Sequence, residues 1–484
     1  MIETKSIIDF FTTTIPGWQQ ACFVLGVSGG IDSMCLLDCL CKAGIPLIAA
    51  HFNHRLRPEA DGDAQFVQKM ANHYSIPFMY GQVDVIEAAS LMHKSIEETA
   101  RTLRYRFLFE TARHNNCEGV IVAHHADDQV ETILMHLLRG SGLDGMKGML
   151  PASILDEYDP ELPLLRPFLG IWRDEITQYA QVHSISYRED ASNRDTQYHR
   201  NRIRHELLPI LETYNLQVKQ RLWQTADILA GDYQSLQGLT KEQHDKVVIH
   251  DSDGVVEFSR GKFNELFPGQ KRNVLRFMVK TQQPQLRDIG FDSIQSMIAW
   301  LNTASENQME RFHTKLCLFN DKEVAVIGDA TSIVWWLQQK YPQYTGPCME
   351  LLVQGDGSVQ LPGGHAFVWD EFTGETKTKL EAIHAASPDE AWIDLDALQQ
   401  PIILRAFLPG DRMTPIGMTD NHIKLSDMFV NAKTPRLIRK NYPVILSGSQ
   451  ICWLPGLRVA DFCKINSNSR KIIHLQWFTP KDQK

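Results

Sequence analysis

The stretch FVLGVSGGIDS, residues 23–33, decides how the rest of the chain is read. Phe23, Val24, Leu25 and Val27 form a short apolar run of the kind that makes a buried strand, and Ser28, Gly29 and Gly30 break it. A helix is predicted over residues 32–43 (DSMCLLDCLCKA). It puts Cys35, Leu36, Cys39 and Leu40 on one face, with an acid and a hydroxyl in the first turn. Two adjacent glycines let backbone approach an anion closely, while the N–H groups and positive dipole end of the helix point at it. Strand, turn and helix together make a cradle for phosphate.

No GxxxxGK[ST] occurs in the chain, so this is not a Walker loop. The motif SGGIDS (Ser28, Gly29, Gly30, Ile31, Asp32, Ser33) resembles instead the signature of the PP-loop ATP pyrophosphatase superfamily. That resemblance implies cleavage of ATP between the α and β phosphates, with adenylation of a carbonyl-type oxygen. Six residues alone could also be an ordinary glycine turn before a helix, so the flanking sequence carries the decision.

Working outward, PLIAAHF (46–52), PFMYGQV (77–83) and GVIVAH (119–124) read as further strands, with helices near 58–74 and 95–114. Strands alternating with helices predict an α/β domain, a doubly wound parallel sheet whose ligands sit beyond the carboxyl ends of the strands. The candidate residues fall there. His51, Asn53 and His54 leave the second strand, carrying donors suited to an adenine edge or a phosphate, although histidines at such positions also simply cap turns. AHHADDQVET leaves the fourth strand and enters a helix to about residue 138. Asp128 and Glu131, three apart in its first turn, share a face and can grip one magnesium ion or orient one amine. Two histidines with three acids also suit a zinc or manganese hydrolase; carboxylates with ATP favour magnesium. Arg101 and Arg104 share a face of the 95–114 helix, where arginine can clamp a phosphoryl group or merely form a solvated stripe. GSGLDG (140–145) matches GxGxxG formally but follows a helix, and reads as a flexible loop near the site.

Length and composition frame this. At 484 residues the chain predicts two to four domains, and 43% hydrophobic with 22% charged residues is a soluble globular composition. No apolar run approaches a membrane span, and the first residues lack the pattern of a signal peptide. Nine cysteines without a CxxC pair argue for reduced thiols in a cytoplasm and against a zinc or iron–sulfur site. Net charge is −9, yet residues 401–484 hold 13 Lys and Arg against 5 Asp and Glu, so a polyanion could be held by the tail. Within it Lys424, Lys433, Arg436, Arg439 and Lys440 stand against Asp427 alone, a spacing that fits phosphate contacts along an RNA backbone.

SGGIDS, HFNHRLR, ETARTLRY, AHHADDQVET, LLRGSGLDGMKGM and EDASNRDTQYHRNRIRHELLP occur in the order seen in tRNA(Ile)-lysidine synthases and cover about the first 210 residues. The tail resembles the C-terminal domain of the longer members. The resemblance implies that residues 28–33 with His51, Asn53 and His54 bind ATP. It implies that Asp32, Arg104, Asp128 and Glu131 are catalytic, that Asp32 and Asp128 hold Mg2+, and that Arg200, Arg202 and Arg204 lie near the RNA. It implies lysine, ATP and a CAU-anticodon tRNA(Ile) as substrates, in the cytoplasm and with no membrane. It leaves open whether the chain forms a homodimer. The expected layout is a PP-loop, adenine nucleotide α hydrolase-like catalytic domain over 1–214 and a mainly helical middle domain over 215–330 that helps hold tRNA. A connection of uncertain fold follows over 331–400, then a small, basic α+β C-terminal domain over 401–484. Another PP-loop enzyme such as a tRNA cytidine thiolase, or a non-catalytic tRNA-binding protein, are the competing readings.

Overall fold

A computed structural model describes residues 2–56, 60–188, 199–252, 254–283, 289–372, 387, 389–418, 422–466 and 469–480. Arg57, residues 189–198 and part of the acidic stretch near 381–396 lie outside the described residues. The chain divides into two compact units, Met1–Gly238 and Leu239–Lys484.

In the first unit the strands are β1 (Phe23–Gly26), β2 (Leu47–Asn53), β3 (Phe78–Gln82), β4 (Val120–Ile121), β5 (Ala152–Leu155) and β6 (Asp159–Leu165). The helices are α1 (Thr4–Thr14), α2 (Ile31–Lys42), α3 (Ala60–His73), α4 (Val85–Met92), α5 (Ile96–His114), α6 (Ala126–Leu138), α7 (Leu143–Met146) and α8 (Arg173–Val182). After them come α9 (His199–Arg202), a wide turn over Ile203–Leu207, α10 (Leu208–Tyr214) and α11 (Val218–Val247).

The sheet order is β3-β2-β1-β4-β6-β5, parallel throughout except for the β5–β6 hairpin at one edge. Alternation explains why both faces are covered. Phe23, Leu25, Leu47, Ala49 and Ile121 pack under α1, α2 and α8, while Val24, Ile48, Ala50, Val120 and Leu164 pack against α5. Sequence order reverses between β1 and β4, so the loops leaving these two strands open onto one crevice.

Helices α2 and α8 lie side by side with a constant offset of 141 residues. Arg173 meets Asp32, the Cys35 thiol donates to the Ile176 carbonyl, the Tyr179 hydroxyl donates to Asp38 at 2.6 Å, and Lys42 meets His183. Tyr74 and Lys42 complete the surroundings of Asp38.

The second unit holds two bodies. The first is a five-stranded antiparallel sheet in the order Val248–Ser252, Val255–Ser259, Val324–Gly328, Leu316–Asp321 and Gln308–His313. Val256, Phe258, Leu318 and Ile327 face helices Pro268–Gln282 and Phe291–Thr303. Val255, Phe319 and Val326 face the helix Ala330–Lys340 and Ile438. The helices match the expectation for this region, but a sheet organises it.

The segment 331–400 turns out to belong largely to the tail. Met349–Leu351 pairs with Ile402–Ala406 in a five-stranded sheet, and Gly357–Gln360, Ala366–Phe372 and Glu390–Asp394 share a four-stranded sheet with Ile472–Phe478. The two sheets share a core that includes Phe367, Trp453 and Trp477. A boundary at residue 401 therefore falls within sheets whose strands come from both sides of it and bury their apolar sides in one core.

One buried acid fixes the edge hairpin. Asp159 accepts from the Glu161 and Leu162 N–H groups at 2.8 Å and pairs with Arg113, whose hydrogen bond, with those of the backbone, holds its carboxyl down at about 2. The folded value lies below the ordinary 3.8, so its contribution is present above that pH and lost as pH falls toward 2. Asp159→Asn is expected to cost about 2 kcal/mol at neutral pH. In urea unfolding, the gap from wild type should close on acidification through that range.

Candidate active site at the sheet switch point

The turn after β1 has the conformation a glycine allows. Gly29 has φ +89°, while Ser33 ties the loop, accepting from the Ser28 N–H at 3.2 Å and donating to the Gly30 carbonyl at 3.0 Å. The Gly30 N–H donates to the Ser28 hydroxyl at 3.3 Å. Thus the hydroxyls of Ser28 and Ser33 hold the shape of the cradle, and Ile31 and Asp32 open α2 with their N–H groups toward it.

At the end of β2, His51 Nδ1 donates to the Val27 carbonyl at 2.8 Å, which leaves Nε2 as an acceptor beside the turn. Burial lowers its basicity. The Asn53 carbonyl oxygen accepts from the Arg55 N–H at 2.8 Å and its amide donates to Tyr80, so this side chain shapes the loop where Arg55 takes φ +52°. Burial, then Arg104 and His51, push His54 down to about 4, so it is uncharged at neutral pH.

Several buried polar atoms of the first unit have no hydrogen-bond partner among the described residues, among them His54 Nδ1, Arg104 Nε, Tyr105 Oη, His124 Nδ1 and Arg166 Nε. Arg101 and Arg104 sit 4.9 and 5.3 Å from the Tyr105 ring centre. Burial pushes Arg166 down to about 10. Of these, the Arg104 and Arg166 Nε–H groups are open buried donors, which suit an anion.

The loop after β4 brings the acids. His125 Nε2 lies 3.9 Å from Asp32 Oδ1 and 3.5 Å from Asp128 Oδ2, so an imidazole stands between the carboxylates from the two strand ends. Burial works to raise the Asp128 carboxyl, but His125, Arg200, His124 and the His125 N–H hold it below the ordinary carboxylate range. Asp128 and Glu131 do share a face. Arg200 Nε donates to the fully buried Glu131 at 2.7 Å and its Nη2 to Asp128 at 3.1 Å; Arg204 Nε donates to Glu131 at 2.6 Å. Arg202 instead turns outward to Glu206 at 3.4 Å.

Among the described residues no three His, Cys, Asp or Glu side chains are grouped as a metal cage. One or two carboxylates completed by phosphate oxygens is the usual magnesium arrangement. Asp32 fits it, since its buried Oδ1 accepts no hydrogen bond among the described residues.

Sequence reasoning missed Arg173, which pairs with Asp32, and Lys219, which lies 3.5 Å from Asp127. It also missed Arg166. A signal existed for Arg173: a cation opening a helix opposes the helix dipole unless an acid answers it. Arg166 interrupts the apolar run PLLRPFLG. In the loop 140–145, read as flexible, His136 Nδ1 bonds the Gly145 carbonyl at 2.6 Å, and Gln129 exchanges two hydrogen bonds with the Met149 backbone just beyond it.

Of the tail cations, Lys424, Arg436 and Lys440 are exposed. Lys433 pairs with Glu306 at 2.8 Å and its carbonyl accepts from Asn307, while Arg439 donates twice to the Thr434 carbonyl. Those two brace the second unit internally.

A parallel sheet carrying SGGIDS at its switch point, with acids from the neighbouring strand end, defines a PP-loop ATP-using enzyme, and the PP-loop domain family matches residues 3–211. The family described as the TilS substrate C-terminal domain matches residues 402–477. The tRNA(Ile)-lysidine synthase of Geobacter sulfurreducens is 32% identical over 92% of this chain and 91% of its own length. Those of Dehalococcoides mccartyi and Bacillus subtilis are 30% and 29% identical, covering 94% and 95% of this chain and 94% of each relative. The chain belongs to the tRNA(Ile)-lysidine synthase family.

Glu131 is buried against two arginines, so removing one partner leaves charge uncompensated. Arg200→Met is expected to lower unfolding stability by about 3 kcal/mol, and Glu131→Gln in the same chain to recover part of that loss. Chemical denaturation of the four-member cycle measures the coupling.

Proposed function

We propose that this chain ligates lysine onto C2 of the wobble cytidine of a CAU-anticodon tRNA(Ile), using ATP and releasing AMP and pyrophosphate. The single observation that carries the reading is relatedness over more than nine-tenths of the chain to enzymes of that name. The crevice supports it with a phosphate cradle, a magnesium-ready acid and two open anion donors. The product, lysidine, pairs with A, so the tRNA reads AUA in place of AUG and is charged with isoleucine rather than methionine.

Residues 28–33, with His51, Asn53 and His54 at the rim, hold ATP, and Asp32 with Asp128 would hold Mg2+. That ion would neutralise charge on the phosphates. Arg104 draws on the α phosphate as cytosine O2 attacks it, and pyrophosphate leaves from the glycine turn. Asp128 orients the lysine amine, which must be deprotonated to displace AMP from C2, while Glu131, expected to share this task, is buried with both oxygens held by Arg200 and Arg204 and so braces the site. His125, between Asp32 and Asp128, is placed to accept that proton. Of the three arginines expected near the RNA, the outward-turned Arg202 is assigned to that side of the crevice, while Arg200 and Arg204 are engaged with Asp128 and Glu131. The free thiols agree with a cytoplasmic enzyme, and light scattering would tell monomer from homodimer.

Labelled lysine should enter an unmodified tRNA(Ile) transcript with a CAU anticodon only with ATP, and not enter the methionine tRNA. Asp32→Asn should reduce the rate at least about 100-fold. AMP formation that ignores lysine would sink the assignment and favour another PP-loop reaction.

In the tail, Lys424→Ala, Arg436→Ala and Lys440→Ala should each weaken tRNA binding and lower its salt-dependence slope by about 1. Lys433→Ala should instead lower the melting temperature with the slope preserved. Filter binding across a salt series distinguishes the two behaviours.

A further inference from the structure

Asp32 is the acid that the nucleotide and its metal need, yet one of its oxygens is already taken. Arg173 Nη1 donates to Asp32 Oδ2, while Oδ1 is buried and accepts no hydrogen bond among the described residues. The two residues are 141 positions apart, and the pairing is the front contact of the α2–α8 pair. The backbone of Arg173 is fixed: its N–H donates to Asp127 Oδ2 at 2.9 Å and its carbonyl accepts from Thr177 at 3.0 Å. Its side chain is 41% exposed and has room to turn toward solvent. A guanidinium at the first position of a helix is repelled by the helix dipole, so Asp32 is what holds it there.

We propose that Arg173 is a positioning residue that serves as the resident counter-ion of Asp32 and yields this place when magnesium and ATP bind. The inference rests on the ATP reading above. Before nucleotide binds, Arg173 prevents the carboxylate from standing unpaired beside Asp127, Asp128 and the His125 ring, and keeps it aimed at the cradle. A metal ion taken by the open Oδ1 would stand beside the guanidinium on Oδ2 of the same carboxylate, so the two cations repel and metal binding and the Arg173 contact oppose each other. The cost of breaking the ion pair is drawn from metal affinity, which makes loading of the site depend on nucleotide and metal arriving together.

The test is binding, without turnover, of an ATP analogue with a methylene bridge between the α and β phosphates, measured by calorimetry across a magnesium series. Arg173→Gln keeps length and hydrogen bonding but loses the charge. It should lower the half-saturating magnesium concentration at least about fivefold. Its melting temperature without magnesium should fall, and added magnesium with the analogue should restore it. Arg173→Lys, which retains a cation, should lie between. In an Asp32→Asn chain, Arg173→Gln should leave the magnesium requirement unchanged. An unchanged or higher magnesium requirement in a folded Arg173→Gln chain, while wild type binds the analogue normally, overturns the counter-ion role and leaves the ATP reading standing. Failure of wild type to bind the analogue with magnesium overturns both.

Discussion

Four carboxylates brought into one crevice are the constraint on which the first unit depends. Asp32 enters from the first turn of α2, Asp127 and Asp128 from the first turn of α6 and Glu131 from its second. Uncompensated, such a cluster would raise its own carboxyl pKa values and push the two strand ends apart. The compensation comes from later in the chain: Arg173 on Asp32, Lys219 on Asp127, and Arg200 with Arg204 on Asp128 and Glu131. Arg173, Arg200 and Lys219 sit at or near the start of a helix and Arg204 in the wide turn after α9, so α8, α9 and α11 are held at the crevice by the charge they neutralise.

The elements that alternate cleanly were legible. PLIAAHF became β2, the 95–114 helix became α5, and the face of Cys35, Leu36, Cys39 and Leu40 is buried, because apolar periodicity reports local geometry directly. The order of motifs was legible too, and it located the cradle and the acids at strand ends. Beyond that, the signal weakened where strands lie at edges. VIHDS and QMERFH flank the middle sheet and are largely exposed, so their alternation is masked by polar residues. The strands between 349 and 372 are short and bounded by Gly and Pro, and their partners lie up to about a hundred residues further on.

Within the site the limit was different. Residue type told which side chains could act, while long-range pairing told which of them face one another. Arg200 and Arg204 were readable as cations and as neighbours of a motif, but their turn toward Glu131 depends on the wide helical turn over Ile203–Leu207. Likewise nothing local tells that Lys433, exposed like Lys424, is paired with Glu306, which lies just before the edge strand Gln308–His313 of the preceding body.

The constant offset between α2 and α8 limits how the crevice can change. Freeing Asp32 by sliding or rotating one helix would also tear Cys35 from Ile176, Asp38 from Tyr179 and Lys42 from His183. A movement of the helix as a body would break these contacts together. The inexpensive movement is rotation of a single side chain about its own bonds, on the picosecond to nanosecond scale of half-exposed groups. Opening of the nucleotide cradle is thereby separated in time from slower rearrangements elsewhere, and occupancy of the site can follow the ATP concentration without waiting for the fold to move.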